Sequence, residues 1–200
     1  MGREQRARPS TLAVKDAAKR QDVDYLIGAL SDQERLVRSA AAWHLGELGA
    51  RRAVPDLVRR LNANDDLVRN SMVIALGKIG DPSAIPRLLE VAREDEAAMV
   101  RVQAIDSLTM LNDPRGREML ARLAIEPASL LAGASRYADA PLLRRQRRAT
   151  RRWVSKWAAK RLRELHVADA APILAAGVGS VGIVQRVRLT RVIRSLRQER

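Results

Sequence analysis

One stretch of this chain, Leu67 to Pro86 (LVRNSMVIALGKIGDPSAIP), is written three times over. Moved back by 31 residues, Val68-Arg69 becomes Val37-Arg38, Leu76-Gly77-Lys78-Ile79-Gly80 becomes Leu45-Gly46-Glu47-Leu48-Gly49, and Ile85-Pro86 becomes Val54-Pro55. Moved forward by 32, the same marks fall on Val100-Arg101, Leu108, Leu111, Asn112, Asp113 and Pro114. A period of this size belongs to repeat architectures. One supersecondary unit cannot bury its apolar face alone, and neighbours stack to make a continuous core. The 200 residues are therefore a number of units rather than one or two ordinary domains.

Within the clearest copy the local signals agree with one another. Asp65 or Asp66 is placed to cap a helix whose apolar positions Val68, Met72, Ile74 or Ala75, and Ile79 recur at helical spacing. Gly80 follows where a left-handed residue ends a helix, Asp81 can cap the next one, and Pro82 takes the favoured first position. The unit reads helix, tight turn, helix. In the third copy Asn112 replaces Gly80, and Asn is the other residue that tolerates left-handed backbone. Gly46 and Gly77 suit close helix contact; Thr109 in their place predicts a looser third seam.

The last third follows the same template less directly. Residues 153 to 174 overlay residues 36 to 57, putting Val154 on Val37, Leu162 on Leu45, Leu165 on Leu48 and Pro172 on Pro55. Val154 follows Val100 by 54 residues instead of one period, so an insertion is expected at 126–148, where Pro, Gly, Ser and Ala cluster. A final pair of helices, from Asp169 to Ala176 and from Ser180 to Leu196, closes the array. Thr11 to Arg20 reads as a short helix and residues 1–9 as disordered. The expected organisation is a basic N-terminal segment (1–21), regular repeats (22–125), the insertion (126–148) and basic C-terminal repeats (149–200).

Composition removes several classes of chemistry. Without cysteine there is neither a disulfide framework nor a thiolate. Five aromatics, Tyr25, Trp43, Tyr137, Trp153 and Trp157, and no Phe leave Leu, Ile, Val and Ala to build the core. Trp43 and Trp157 occupy interior-looking positions, and Trp153 stands at the edge of an apolar arc. The opening MGREQRARPS has charge with no apolar stretch behind it, which reads as no secretory signal. The longest uncharged run, Ala170 to Gln185, is too short and Gly-rich to span a bilayer. The expected location is cytoplasmic.

The formal net charge of +14 is unevenly placed. Residues 21–124 carry 14 basic and 16 acidic side chains, whereas residues 125–200 carry 17 and 5. The positive potential therefore belongs to the C-terminal third.

The repeated residues resemble the short HEAT-like repeats of phycobilisome lyases, whose pattern is close to VRxxAxxALGxLGDxxAxPxL. Residues 36–57 and 67–88 match it almost throughout, and the third copy matches more loosely. The resemblance implies an all-α fold, an α-solenoid (ARM/HEAT-type superhelix) of about five helical hairpins. In HEAT repeats an inter-helix Asp and an Arg six residues later form a ladder of hydrogen bonds between units. Asp32 with Arg38 and Asp95 with Arg101 have that spacing. Arg69 has Ala63 in the Asp place, with only Asn64 or Asp65 to substitute. Related HEAT-like deoxyhypusine hydroxylases hold two irons with His-Glu pairs just after the VR position. Here those places are Ser39-Ala40, Asn70-Ser71 and Val102-Gln103, which cannot supply the ligands. His44 and His166 read as packing or helix-end histidines, so no metal site is expected. Bilin lyases share the repeat, but no chromophore site is identifiable. HEAT-like alkylpurine DNA glycosylases combine a basic surface with aromatics and a catalytic Asp, and no motif carries those residues over.

Two further features stand apart from the repeat. Gly177 to Gly182 matches GxGxxG, but too little chain follows for a second strand or a ribose-binding acid, and a Gly-rich turn between two helices is the better reading. No cofactor is expected. The segment 142–165 (LLRRQRRATRRWVSKWAAKRLREL) is the strongest local signal. At 100° per residue Val154, Trp157, Ala158, Leu162 and Leu165 share one side and Arg148, Arg152, Lys156, Lys160 and Arg163 the other. With Arg144, these cations form the candidate partner-binding face; the competing reading is a solvated outer face. The expected function is a non-enzymatic scaffold or adaptor for a macromolecular partner, an acidic protein, with no catalytic residues. Nucleic-acid binding by the same face is the alternative, and a phycobilin-lyase-like or hydroxylase-like enzyme the remote one. The oligomeric state is left open.

Overall fold

A computed structural model describes residues 10–128, 141–165 and 170–198, with the side chains of 141–150, Val184 and Gln198 outside that description. The expectations for residues 1–9 and for His166 fall outside the described residues. Those residues contain helices and short 3-10 turns and no strand. The chain divides into two compact units, with the boundary between Ala84 and Ile85.

The first unit contains α1 (Thr11–Lys19), α2 (Val23–Ala29), α3 (Arg35–Glu47), α4 (Val54–Arg59) and α5 (Asp66–Ile79), with 3-10 turns at Arg51–Ala53, Arg60–Asn62 and Pro82–Ala84. The two repeat copies align here: α3 packs along α5, while α1 and α2 cover α3. Val37, Ala41, Ala42 and Leu45 of α3 and Val68, Met72, Val73, Ala75 and Leu76 of α5 are fully buried, so each helix spends its period-3.6 stripe on the core. Gly46 permits the closest approach. A Cβ built on it would lie 2.8 Å from the Cα of Ala75, inside contact distance. The sequence left the cap of α5 between two aspartates; Asp65 is the cap, its carboxylate accepting from the N–H groups of Leu67 and Val68 at 3.0 and 3.3 Å. Gly80 ends α5 in the left-handed region at φ 72°, and Gly49 does the same after α3 at φ 59°.

The second unit contains α6 (Ile85–Glu94), α7 (Ala98–Met110), α8 (Pro114–Ile125), α9 (Pro141–Glu164), α10 (Ala170–Gly177) and α11 (Ile183–Gln198). Between α7 and α8, Asn112 is left-handed at φ 60° and Asp113 caps α8 by accepting from the Arg115 N–H at 2.9 Å, as the third copy's Asn-Asp-Pro implies. Helices of this unit pack on one another: α6 on α7, α7 on α8, α8 on α9 and α10, and α11 on α9 and α10. Gly116 lies against α7, where a Cβ would come within 2.5 Å of Leu108. In the expected insertion, residues 141–148 are helical and belong to α9, and residues 129–140 lie outside the description. The burial of the last copy follows the overlay: Val154 and Leu162 are buried like Val37 and Leu45, and Pro172 is exposed like Pro55.

Candidate basic docking face

The face is built by two helices of the second unit. Along α9 the buried positions are Val154, Ser155, Ala158, Ala159 and Leu162, a stripe that faces α8 and α11. The intervening Arg151, Arg152, Lys156, Lys160 and Arg163 are exposed. On α11, Leu189, Val192, Ile193 and Leu196 are buried, and Arg186, Arg191, Arg194 and Arg197 face solvent. The helix has five arginines and no acidic residue.

Three buried polar contacts fix these helices in register. Asp106 of α7 accepts from the Nε of Arg161 on α9 at 2.6 Å, in a largely buried pair. Burial works against the charge on Arg161, but Asp106 and Glu164 outweigh it and raise its pKa. Ser155 donates to the Ala124 carbonyl at 2.7 Å. Gln185 of α11 donates from Nε2 to the Ala124 and Ile125 carbonyls at 2.7 and 2.8 Å. It thus satisfies carbonyls that the C-terminus of α8 leaves without helical partners. The Gly-rich stretch is the turn between α10 and α11, with a 3-10 segment at Val178–Ser180. Gly177 packs on α8 so closely that a Cβ would fall 2.5 Å from Ile125 Cδ1.

Of the six residues proposed as the partner-binding face, the fold brings Lys156, Lys160 and Arg163 together along one groove between α9 and α11, with a volume of about 620 Å³. Arg188 and Arg191 supply the opposite wall. Arg152 lies elsewhere, on a cavity of about 750 Å³ that it shares with Arg151 and Arg188 beside the C-terminus of α8. Arg144 and Arg148 belong to α9, with side chains outside the description. Sequence reasoning did not single out Arg188 and Arg191. Their signal was present in the i,i+3 spacing of arginines on a helix without acids. Lys160 pairs with Glu164 at 3.3 Å, and the Glu164 carboxyl is held below its ordinary pKa, chiefly by Lys160. Among the described residues no carboxylate pairs with Lys156, Arg163, Arg188 or Arg191.

The ladder residues have a defined geometry. Arg38 donates from Nη1 to the main-chain carbonyls of Asp32 and Gln33, both at 2.8 Å, and Arg69 donates to the Ala63 carbonyl at 2.8 Å. The Asp32 carboxylate instead accepts from the Glu34 N–H at 2.8 Å, and that of Asp95 accepts from the Ala97 N–H at 2.8 Å. These arginines reach backbone, which explains why Ala63 serves in the Asp place. Arg101 is buried, and its Nε and Nη2 have no hydrogen-bond partner among the described residues. Desolvation lowers its pKa, and Asp95 opposes that.

The tryptophans require a correction. Trp43 is 45% exposed, not interior. Positions 37, 41 and 45 hold the buried stripe of α3, and residue 43 points about 200° away from 41. There Lys78 of α5 sits 3.7 Å from its ring centroid while also pairing with Glu47. Trp157 is half-buried and stacks on the exposed Trp153, with centroids 6.2 Å apart and an interplanar angle of 14°. Among the described residues no group of three or more His, Asp or Glu could hold a metal, and no helix is long and apolar enough to cross a membrane.

Stacked helix pairs, with left-handed Gly49, Gly80 and Asn112 ending α3, α5 and α7 and a 3-10 turn or the Asp113 cap following each, define a helical-repeat protein. Residues 23–109 and 62–138 match HEAT repeats, together more than half of the sequence, and the chain belongs to the HEAT-repeat family. It is similar to a chain in the complex of CpcE and CpcF of phycocyanin lyase from Nostoc sp. PCC7120. The identity is 21%, covering 93% of this chain and 72% of that one, with a TM-score of 0.51. That likeness establishes the all-α HEAT-type solenoid fold. No curated protein matches the chain.

Proposed function

We propose that this protein is a non-enzymatic HEAT-repeat adaptor whose basic C-terminal helices dock an acidic protein. The observation that carries the reading is the groove between α9 and α11, where Lys156, Arg163, Arg188 and Arg191 line opposite walls with no carboxylate partner among the described residues. A solvated outer face would be expected to intersperse acids with its bases, as α6 and α8 do with Arg87–Glu90 and Arg122–Glu118. Unpaired cations in a concave site raise the local potential and speed capture of an anionic partner. Solenoids offer extended surfaces of this kind, which is why the fold so often serves binding.

Nucleic acid is the second reading. The exposed Trp153, stacked on Trp157 next to Arg152, is its specific support, since stacking beside cations is how single strands are held. The experiment is affinity capture by the full chain from native extract, with and without nuclease, at two salt concentrations. The adaptor reading expects one protein recovered independently of nuclease and lost on substituting Lys156→Glu, Arg163→Glu and Arg191→Glu together. Capture that disappears with nuclease, or that the triple substitution leaves unchanged, overturns it.

A further inference from the structure

The groove between α9 and α11 has aliphatic lining residues that charge recognition alone does not need. Ile183 is 79% exposed and Val187 48% exposed, one helical turn apart on α11, and both line the groove on the same helix as Arg188 and Arg191, across from the cations of α9. Exposed aliphatics set beside Arg188 and Arg191 and across from the cations of α9 match a ligand that carries both an apolar stripe and anionic groups. Nucleic acid offers phosphates and base faces, and its binders present aromatic platforms. The tryptophans of α9 do not line this groove. An amphipathic helix offers the required combination, with aliphatic residues at i, i+3, i+4 and i+7 flanked by carboxylates.

Resting on the adaptor reading, we infer that this groove takes an acidic amphipathic helix of the partner protein. Its aliphatic stripe seats on Ile183 and Val187, and its carboxylates reach Lys156 and Arg163 on one wall and Arg188 and Arg191 on the other. Charge supplies the attraction and the exposed aliphatics supply selectivity for a helix of the right pattern.

The test uses the full chain and a fluorescein-labelled synthetic peptide of about 18 residues, long enough to hold helical structure. The peptide contains Glu and Leu, with Leu in an i, i+3, i+4, i+7 stripe. A scramble of identical composition and a duplex DNA of equal charge are the comparators, read by fluorescence anisotropy. The striped peptide should bind at least about tenfold more tightly than the scramble. Combining Ile183→Ser with Val187→Ser should erase that preference and leave the salt dependence in place; circular dichroism verifies the fold, which two exposed positions should not disturb. Lys156→Glu with Arg191→Glu should weaken both peptides. Equal binding of stripe and scramble, indifference to the Ile183/Val187 substitutions, or DNA bound as tightly as the striped peptide would each overturn the inference. Such a failure is distinguishable from failure of the adaptor reading, which stands if the captured protein is still lost on charge reversal and falls if it is not.

Discussion

Asp106 and Arg161 lie 55 residues apart and form the polar pair that ties α7 to α9. Nothing in the repeat announces them, because Asp106 is one of several polar residues, with Arg101, Ser107 and Thr109, that α7 buries among its aliphatic side chains. Removing the carboxylate leaves a mostly buried guanidinium with only the longer contact to Glu164, so Asp106→Ala should lower stability by about 2 kcal/mol in urea unfolding. Asp106→Ala combined with Arg161→Met should recover part of that loss. Gly46 makes the opposite kind of prediction, since its role was legible from sequence. Gly46→Ala pushes a methyl against the Ala75 backbone and should lower stability by about 1–3 kcal/mol. Trp43 illustrates the limit of such reading. Its apolar character says that it resists water, but whether it packs inward or carries Lys78 on its ring depends on which stripe of α3 the neighbouring helix selects.

At the scale of elements, the turns were the most legible part of the chain, because φ and capping are properties of adjacent residues. Gly80 and Asn112 are left-handed, and Asp65 and Asp113 cap α5 and α8. The Asp113 carboxyl lies below its ordinary value of 3.8, mainly through its hydrogen bond from Arg115. A depressed folded-state pKa contributes stability that is present above the unfolded value and lost as the pH falls through the folded one. Stability of the protein should therefore decline from about pH 4 downward. Asp113→Asn, which keeps a capping side chain, should show a smaller decline over that range in pH-dependent thermal unfolding. What local rules could not supply was the partner of an element's end. Gln185 closes the carbonyl end of α8 from 60 residues away, and Gln185→Ala should lower stability by about 1 kcal/mol by taking the amide donor from the Ile125 carbonyl and leaving Ala124 to Ser155 alone.

Across the whole molecule, the repeat period disclosed the architecture, and charge arithmetic disclosed where to look for a partner. The near-neutral repeats of residues 21–124 and the strongly basic residues 125–200 are visible in composition alone. The groove was not visible, because it needs the i,i+3 arginines of α11 set opposite the lysines of α9, a pairing that no local pattern encodes. Half of the proposed face, Lys156, Lys160 and Arg163, lies in it, and Arg152 serves a different cavity.

Docking of an acidic protein by the cations of the α9–α11 groove is the proposal on which the rest depends. Binding of the protein captured from native extract, purified and titrated against the full chain, tests it most directly when measured for the wild type and for Lys156→Glu/Arg163→Glu/Arg191→Glu at low and moderate salt. Wild-type affinity should fall several-fold as salt rises toward about 0.3 M, and the triple variant should bind at least about tenfold more weakly with little salt dependence left. Equal affinity for the two proteins at both salts would contradict it.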